Sequence, residues 1–228
     1  MKDYKTFLIT EGVYDPGIFK AYFLAGGPGS GKTFVTANAF AGTGLKLVNS
    51  DAVFERYLKQ AGLSMKMPES EAEIRDEIRA RAKAKTSGRL DLYIKGRLGL
   101  VIDGTGRDFE LISRQQRLLK FIGYDTQMIF VNTSLDVALE RNAKRERTVP
   151  EYIATKNWNT VQSNMGMFHK LFGYSNFHVV DNNSSEQELI TTTLNKAAKI
   201  VRSTMNRPLG YIAKQWVNKE LQLKKRAW

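Results

Sequence analysis

The stretch Gly26–Thr33, with the sequence GGPGSGKT, constrains the fold of this chain more than any other feature. It fits the pattern G-x-x-x-x-G-K-[ST], it follows the apolar run Tyr22–Ala25, and a helical pattern comes after it. Glycines at these positions let successive backbone N–H groups turn towards one anion at the amino end of a helix. The motif therefore predicts a strand, a phosphate-binding loop (P-loop) and a helix, with a nucleoside triphosphate as the ligand.

Residue types within the loop assign the expected phosphate contacts. We expect nucleotide contacts from the whole loop, namely Gly26, Gly27, Pro28, Gly29, Ser30, Gly31, Lys32 and Thr33. Lys32 would bridge the β- and γ-phosphates of ATP, and the Thr33 hydroxyl would bind Mg²⁺. A P-loop alone leaves open whether the γ-phosphate goes to water, to a conformational cycle or to an acceptor, so other residues must decide the reaction class.

Short apolar runs alternate with longer helical patterns along the rest of the chain. The runs typical of buried parallel strands are Ala21–Ala25, Leu45–Val48, Leu98–Ile102, Gln127–Val131 and Phe177–Val180. The helical patterns are Lys32–Phe40, Asp51–Gln60, Glu69–Lys85, Phe109–Phe121, Leu135–Arg145, Glu151–Phe172 and Glu186–Ser203. This alternation predicts an α/β fold, a five-stranded parallel sheet with helices on both faces.

Two acids follow predicted strands. Asp51 comes after the second strand and Asp103 directly after the third, at the edge of the sheet where ligands bind in open α/β folds. We expect Asp51 to accept a proton from an attacking hydroxyl, and Asp103 to hold Mg²⁺ together with Thr33. Each acid could instead be an ordinary helix cap, and Ser50 or Asp51 is the expected cap of the second helix.

A base-rich segment ends the helix after the fourth strand. Residues 141–147 read RNAKRER, and Pro150 stops the helical pattern. In small P-loop kinases a mobile lid at this position brings arginines onto the transferring phosphate and excludes water. Arg141 and Arg145, four residues apart, are the expected catalytic lid arginines. The alternative is a solvated helix end with favourable dipole interactions.

Composition excludes several kinds of chemistry and locates the excess charge. The 228 residues include no Cys and two His, which excludes disulfides, a thiol nucleophile and a three-histidine zinc site. Lys and Arg outnumber Asp and Glu by 35 to 23, and eight of these cations lie in the last thirty residues. No apolar run reaches the ~18 residues of a membrane span, so we expect a cytoplasmic protein without membrane contact.

The C-terminal cations lie between apolar residues at helical spacing. Tyr211, Ile212, Trp216 and Leu223 belong to this pattern, which predicts a basic amphipathic segment, 201–228, appended to a kinase domain, 1–200. The segment could be a closing helix with its lysines in water, a nucleic-acid contact, or a contact with a membrane surface or a protein partner.

A group of motifs points to one known family. GGPGSGKT, VNSD at 48–51, VIDGTG at 101–106 and RNAKR at 141–145 together resemble the phage polynucleotide kinase and zeta-toxin branch of P-loop kinases. The resemblance covers roughly residues 20–182. It implies ATP and Mg²⁺ as cofactors, Asp51 as the general base, and Arg145 as a lid arginine that contacts the nucleotide phosphates.

One position departs from this resemblance. Polynucleotide kinases usually carry an arginine three residues after the base to hold the acceptor's phosphate, and this sequence has Phe54 there. The residues that could take over acceptor binding, besides Asp51 itself, are Arg75, Arg79 and Arg107; for the helix with Arg75 and Arg79 the alternative is a solvated face with acid–base pairs. Asn182, after the fifth strand, is a candidate contact for the adenine edge.

These observations favour an ATP- and Mg²⁺-dependent kinase that phosphorylates a hydroxyl on a nucleic acid. The acceptor would be a polynucleotide 5′ end or a hydroxymethylated pyrimidine in phage DNA, in the infected host cell if the chain is phage-encoded. The first alternative is a small-molecule kinase, acting on a nucleotide or, as in zeta toxins, on a nucleotide sugar. The second is an ATP-binding switch without acceptor chemistry. The basic C-terminal segment is the main support for a polynucleotide.

Overall fold

The structure is a computed structural model that describes residues 13, 15, 17–66, 68–184 and 186–226. Its strands are β1 (Lys20–Ala25), β2 (Lys46–Val48), β3 (Leu100–Asp103), β4 (Asp125–Asn132) and β5 (Phe177–Asp181). They form one parallel sheet in the order β2-β3-β1-β4-β5. The predicted five-stranded sheet is confirmed, with strand ends shifted by a residue or two.

Helices cover both faces of this sheet. They are α1 (Lys32–Ala39), α2 (Ser50–Gln60), α3 (Ala72–Lys95), α4 (Phe109–Phe121), α5 (Leu135–Ala143), α6 (Glu151–Phe172), α7 (Gln187–Met205) and α8 (Tyr211–Arg226), with a short 3₁₀ turn at Glu69–Glu71. Helices α1 and α7 bury apolar side chains on one face. Helices α4, α6 and α8 and the end of α3 do so on the other, which confirms the predicted α/β class.

The central strands explain why the sequence runs were so apolar. All residues of β1 and the middle six of β4 are buried. Tyr22 and Leu24 pack with the α1 and α7 side, whereas Ala21 and Phe23 pack with the α4 and α6 side. Successive side chains of a strand point to opposite faces, so a strand covered on both sides needs a continuous apolar run.

The helix predicted at Glu69–Lys85 is longer than expected. It begins at Ala72, after the 3₁₀ turn, and continues past Gly88 to Lys95. The serine and glycine at 87 and 88 disfavour a helix, but Leu90 is buried in the core beyond them. Tertiary packing therefore overrides local propensity here, and the prediction that the helix ends at Lys85 was wrong.

The C-terminal helix α8 packs against the amino ends of the strands. The Trp216 ring lies 5.5 Å from the ring of Phe19, which precedes β1. Ala213 is fully buried and its backbone N lies close to Gly123, which precedes β4. This is the edge of the sheet opposite to the P-loop.

The predicted boundary between the kinase domain and the C-terminal segment lies within a continuous helix. Helix α7 crosses the boundary between 200 and 201, while the division into 1–200 and 201–228 stays a prediction whose first twelve residues lie outside the described part. In the described part of the chain, no helix combines the length and the hydrophobicity needed to span a membrane.

Candidate active site

The P-loop backbone forms a cradle that only glycine permits. Gly26, Gly29 and Gly31 have φ angles of 155°, 79° and 84°. A Cβ on Gly29 would collide with the carbonyl oxygen of Ala138, and one on Gly26 would lie 2.6 Å from that of Val131. Ser30 Oγ is buried and lacks a hydrogen-bond partner within the described residues. A cradle of this shape containing a free donor fits the phosphates of a nucleotide.

Lys32 lies at the meeting point of four charged groups. Its Nζ donates to the carbonyl oxygens of Gly26, at 2.5 Å, and Gly27, at 3.3 Å. Burial lowers the pKa of Lys32, the nearby Asp103 and Asp51 raise it, and Arg145 lowers it further. Two cations and two carboxylates are therefore close enough to influence one another beside the P-loop.

Asn49 connects the two acids, and sequence reasoning missed it. Its Oδ1 accepts from the backbone N–H groups of Asp51, at 2.8 Å, and Ala52, at 3.2 Å. Its Nδ2 donates to Asp103 Oδ2 at 2.7 Å. Asn49 is thus the cap of α2, and the prediction of Ser50 or Asp51 was wrong. The signal was available, because asparagine is among the most favoured N-cap residues.

Asp103 and Thr33 are the candidate ligands for Mg²⁺. Burial raises the pKa of Asp103, while Lys32 and the hydrogen bond from Asn49 lower it. Thr33 is exposed in the first turn of α1, directly after the P-loop lysine. Mg²⁺ in nucleotide sites commonly takes one or two protein oxygens together with phosphate oxygens, and this donor pair fits that requirement.

The predicted lid, residues 141–150, comprises the end of α5 and the link to α6. Within it, Asn142 holds both backbone polar groups of Val149, donating to Val149 O at 2.7 Å and accepting from Val149 N at 3.2 Å. Arg145 is exposed on this segment, within electrostatic range of Lys32. Arg147 crosses to α2, where its Nη2 lies 3.5 Å from Asp51 Oδ2.

Arg141 and Asn182 support the P-loop. Arg141 donates to the carbonyl oxygens of Asn182, at 2.7 Å, and Ser184, at 3.0 Å, which fixes the loop after β5. Asn182 is buried, and its Nδ2 donates to Ser30 O at 2.8 Å. Asn182 therefore holds the P-loop backbone directly, and Arg141 holds the loop that carries Asn182. The catalytic role of Arg141 and the adenine contact of Asn182 stay predictions.

Trp158 is a further contact to the P-loop that sequence reasoning left unassigned. Its indole Nε1 donates to Thr133 O at 3.0 Å. A Cβ on Gly27 would lie 3.1 Å from Trp158 Cδ1, so the ring packs directly against the loop. Helix α6 is thereby held beside the nucleotide cradle.

The three arginines predicted for acceptor binding are separated. Arg79 Nη1 lies 3.9 Å from Asp51 Oδ1. Arg75 donates to Pro68 O at 3.2 Å, and its Nε lies 3.8 Å from the carboxylate of the adjacent Asp76. Arg107 donates to Asn157 Oδ1 on α6, at 3.2 Å. The structure thus brings Arg79 to the candidate base and gives the other two arginines separate partners.

This sheet order, with a P-loop after β1 and an arginine-bearing segment after α5, defines a P-loop kinase fold. Residues 22–168 match the AAA domain family AAA_33, and the chain belongs to that family. Comparison of the sequence with curated proteins finds no significant match.

Several solved structures share the fold at low sequence identity. A proposed kinase from Chloroflexus aurantiacus is 18% identical, with a TM-score of 0.58, over 81% of this chain and 97% of that one. A chain from the PezAT toxin–antitoxin system of Streptococcus pneumoniae is 16% identical, with a TM-score of 0.53, over 98% of each chain. A gluconokinase from Sinorhizobium meliloti is 15% identical, with a TM-score of 0.50, over 82% of this chain and 95% of that one. The polynucleotide kinase branch itself stays a prediction.

Proposed function

We propose that the protein transfers the γ-phosphate of ATP to a hydroxyl of a small molecule, with Asp51 as the general base. The observation that carries this proposal is the group of four charges beside the P-loop: Lys32, Asp51, Asp103 and Arg145. A switch needs the nucleotide ligands alone, whereas a kinase also needs a carboxylate that can accept the hydroxyl proton beside the phosphate being transferred.

Each member of the group has a separate task in this proposal. Lys32 and Arg145 offset the negative charge that builds up on the transferring phosphate. Asp51, in the first turn of α2, takes the proton from the acceptor hydroxyl. Thr33 and Asp103 would hold Mg²⁺, which when bound neutralises phosphate charge. Asn49 keeps the two acids apart and oriented, because it binds one by its carboxylate and the other by its backbone.

The position of α8 favours a small acceptor over a polynucleotide. The basic C-terminal segment was the main support for a nucleic-acid substrate, yet the residues that dock α8 lie at the amino edge of the sheet. Its cations therefore do not line the cradle. The gluconokinase among the structural neighbours is named for a small-molecule reaction. A nucleic-acid kinase is the second candidate, supported by the exposed lysines of α8.

A screen of acceptors with γ-labelled ATP and Mg²⁺ tests the proposal. The panel contains sugars, sugar phosphates, hydroxy acids, nucleosides, nucleotide sugars, and DNA and RNA with free 5′ hydroxyls. We expect label on a small molecule and none on the polynucleotides. Label on DNA or RNA alone would support the second candidate, and label on no acceptor would support an ATP-binding switch.

The variant Asp51→Asn tests the role of the base. We expect its kcat to fall by about 10²- to 10⁴-fold with little change in the KM for ATP, because the carboxylate accepts a proton but does not bind the nucleotide. Asp136→Asn is the matched control, since Asp136 also lies in the first turn of a helix, α5, and is exposed. Equal activity of the two variants would overturn the assignment of Asp51.

A further inference from the structure

Phe54, which follows Asp51 by three residues, lies between two arginines from other parts of the chain. The guanidinium carbon of Arg79, on α3, is 4.1 Å from the centre of the Phe54 ring. That of Arg147, on the lid, is 5.9 Å from it. The ring itself is buried. An aromatic face thus orients two planar cations at one end of helix α2.

Both arginines reach Asp51 without forming a close ion pair with it. The distances from their guanidinium nitrogens to the carboxylate oxygens are 3.9 Å for Arg79 and 3.5 Å for Arg147. Hydrogen bonds between guanidinium and carboxylate groups are ~2.7–2.9 Å long. The two cations therefore surround the candidate base and keep hydrogen-bonding capacity.

Arg147 is the more enclosed of the two. Its side chain is 10% exposed, and Nε lies 2.9 Å from Glu55 Oε1. That contact lacks hydrogen-bond geometry, so Nε is buried without a hydrogen-bond partner in the described part of the chain. Burial also lowers the pKa of Arg79, which Asp51 raises in turn. The Arg147 guanidinium thus lies beside two carboxylates without making a full set of hydrogen bonds, and an anion that accepts from it would satisfy the donors left over.

We propose that Arg79 and Arg147, which both lie beside the Phe54 ring, bind an anionic group of the acceptor and so direct its hydroxyl to Asp51. The inference rests on the proposed function and adds the substrate class: a small alcohol that carries a phosphate or a carboxylate. Guanidinium groups bind the oxygens of either anion in pairs. Because Arg147 belongs to the lid, binding of the anion also draws the lid onto the acceptor.

In this proposal two arginines of the lid have different roles. Arg145, exposed and in range of Lys32, acts on the phosphate that is transferred. Arg147, two residues further on, acts on the acceptor. A neutral alcohol would offer no anion to Arg79 and Arg147, so the site discriminates against it.

Anion binding can be measured without any phosphoryl transfer. We would follow the unfolding temperature of the protein, saturated with ADP and Mg²⁺ to fill the P-loop, as phosphate or acetate is added at constant ionic strength with sodium chloride. A ligand that binds only the folded state raises this temperature according to its Kd. The phosphate and acetate arms distinguish the two anion classes.

The variants Arg79→Gln and Arg147→Gln should each weaken binding of the favoured anion by at least about 10-fold, as expected for one lost charge-assisted pair. Arg56→Gln is the matched control, because Arg56 is an exposed arginine on the same helix as Phe54 and should bind as the unchanged protein does. If Arg147→Gln does not fold, Arg147→Lys keeps the charge, loses the paired geometry and should still weaken binding.

The proposal is overturned if neither anion raises the unfolding temperature more than sodium chloride, or if Arg79→Gln and Arg147→Gln respond as the unchanged protein does. These results are distinct from a failure of the proposed function. Anion binding lost in both variants, with no transfer to any acceptor, would keep this site and reject the kinase. Efficient transfer to a neutral alcohol, unaffected by Arg79→Gln, would keep the kinase and reject the site.

Discussion

Lys20 and Lys32 lie at the two ends of one unit, β1 and the P-loop, and their surroundings differ. Lys20 is buried at the amino edge of the sheet, 3.1 Å from Asp125 Oδ2, and donates to Arg207 O at 2.9 Å. Lys32, at the carboxyl edge, donates to two P-loop carbonyl oxygens and has no ion pair within the described residues. The charge of Lys20 is neutralised by a carboxylate of the fold, whereas the charge of Lys32 is available to a ligand.

The difference extends to the neighbours of each lysine. At the amino edge, Arg207 also donates to Asn176 Oδ1, at 2.7 Å, which fastens the link between α7 and α8. At the carboxyl edge, Arg145 is exposed and Asp51 half-buried. Charges buried in a protein must be paired with opposite charges of the protein, whereas charges around a binding site can be paired by the ligand. The amino edge is therefore expected to control stability and the carboxyl edge activity.

The largest expected effect is that of Lys32→Met on turnover. We expect kcat to fall by at least about 10³-fold, because a cation aimed at the transferring phosphate is lost. The free energy of unfolding should change by no more than about 1 kcal/mol. Burial lowers the pKa of Lys32, so its charge costs stability in full at pH values below that lowered pKa, and methionine removes this cost. The loss of a cation near Asp103 acts in the opposite direction, so the two effects partly cancel.

Steady-state kinetics and thermal unfolding of the same preparation check this prediction. Lys83→Met, at an exposed position on α3, is the control and should change neither quantity. A Lys32→Met protein that is strongly destabilised would show that the P-loop lysine is also a structural residue.

Lys20→Met is expected to act in the opposite way. Removing the buried cation leaves Asp125 without its nearest cation, which costs about 3 kcal/mol. That corresponds to a fall of roughly 10 °C in unfolding temperature for a chain of this size. The kcat of the folded protein should be unchanged. Loss of turnover at a temperature where the variant is fully folded would contradict the separation of the two edges.

Asn49→Ala should affect both quantities moderately. Loss of the cap of α2 costs about 1 kcal/mol. Loss of the hydrogen bond to Asp103 should also lower kcat, by roughly 10-fold. Ser134→Ala is the matched control, since Ser134 caps α5 and accepts from Val137 N without contacting an acid. It should reduce stability alone, and equal loss of kcat in both variants would reject the link between Asn49 and the chemistry.

The smallest effect is expected from the exposed lysines of α8. Changing Lys214, Lys219 and Lys225 together to Gln should leave kcat for a small acceptor unchanged and stability within about 0.5 kcal/mol. Kinetics at two salt concentrations provide the measurement. A polynucleotide acceptor would instead bind less tightly in this variant. The slope of its log binding constant against log salt concentration would be shallower by about 3, because fewer phosphate contacts release fewer counterions.

Much of the fold followed from local patterns. The apolar runs located all five strands. Burial on both faces explains the runs of β1, β3 and β4, whereas β2 and β5, at the sheet edges, are only partly buried. The P-loop was identified from its glycines because positive φ angles such as the 79° of Gly29 restrict the residue type. The end of α3 was not predictable, since its last turns are held by burial of Leu90 in a core assembled from distant segments.

The candidate site was only partly readable from the chain. The sequence pointed to Lys32, Asp51, Asp103 and Arg145; the structure places the other three within electrostatic range of Lys32, and the tasks of all four stay predictions. It left Asn49 and Arg147 unassigned. Both act through contacts between segments that are distant in sequence, from Asn49 to Asp103 and from Arg147 to Asp51.

The sequence by itself determined the sheet, the nucleotide cradle and the P-loop kinase fold, because strand burial and glycine geometry are local requirements that can be recognised along the chain. The tertiary structure decided where the charges go. It placed the basic α8 at the amino edge, tied Arg141 to the loop after β5, and turned Arg147 towards Asp51. Electrostatic partners are chosen by distance in space, which a pattern along the chain does not encode.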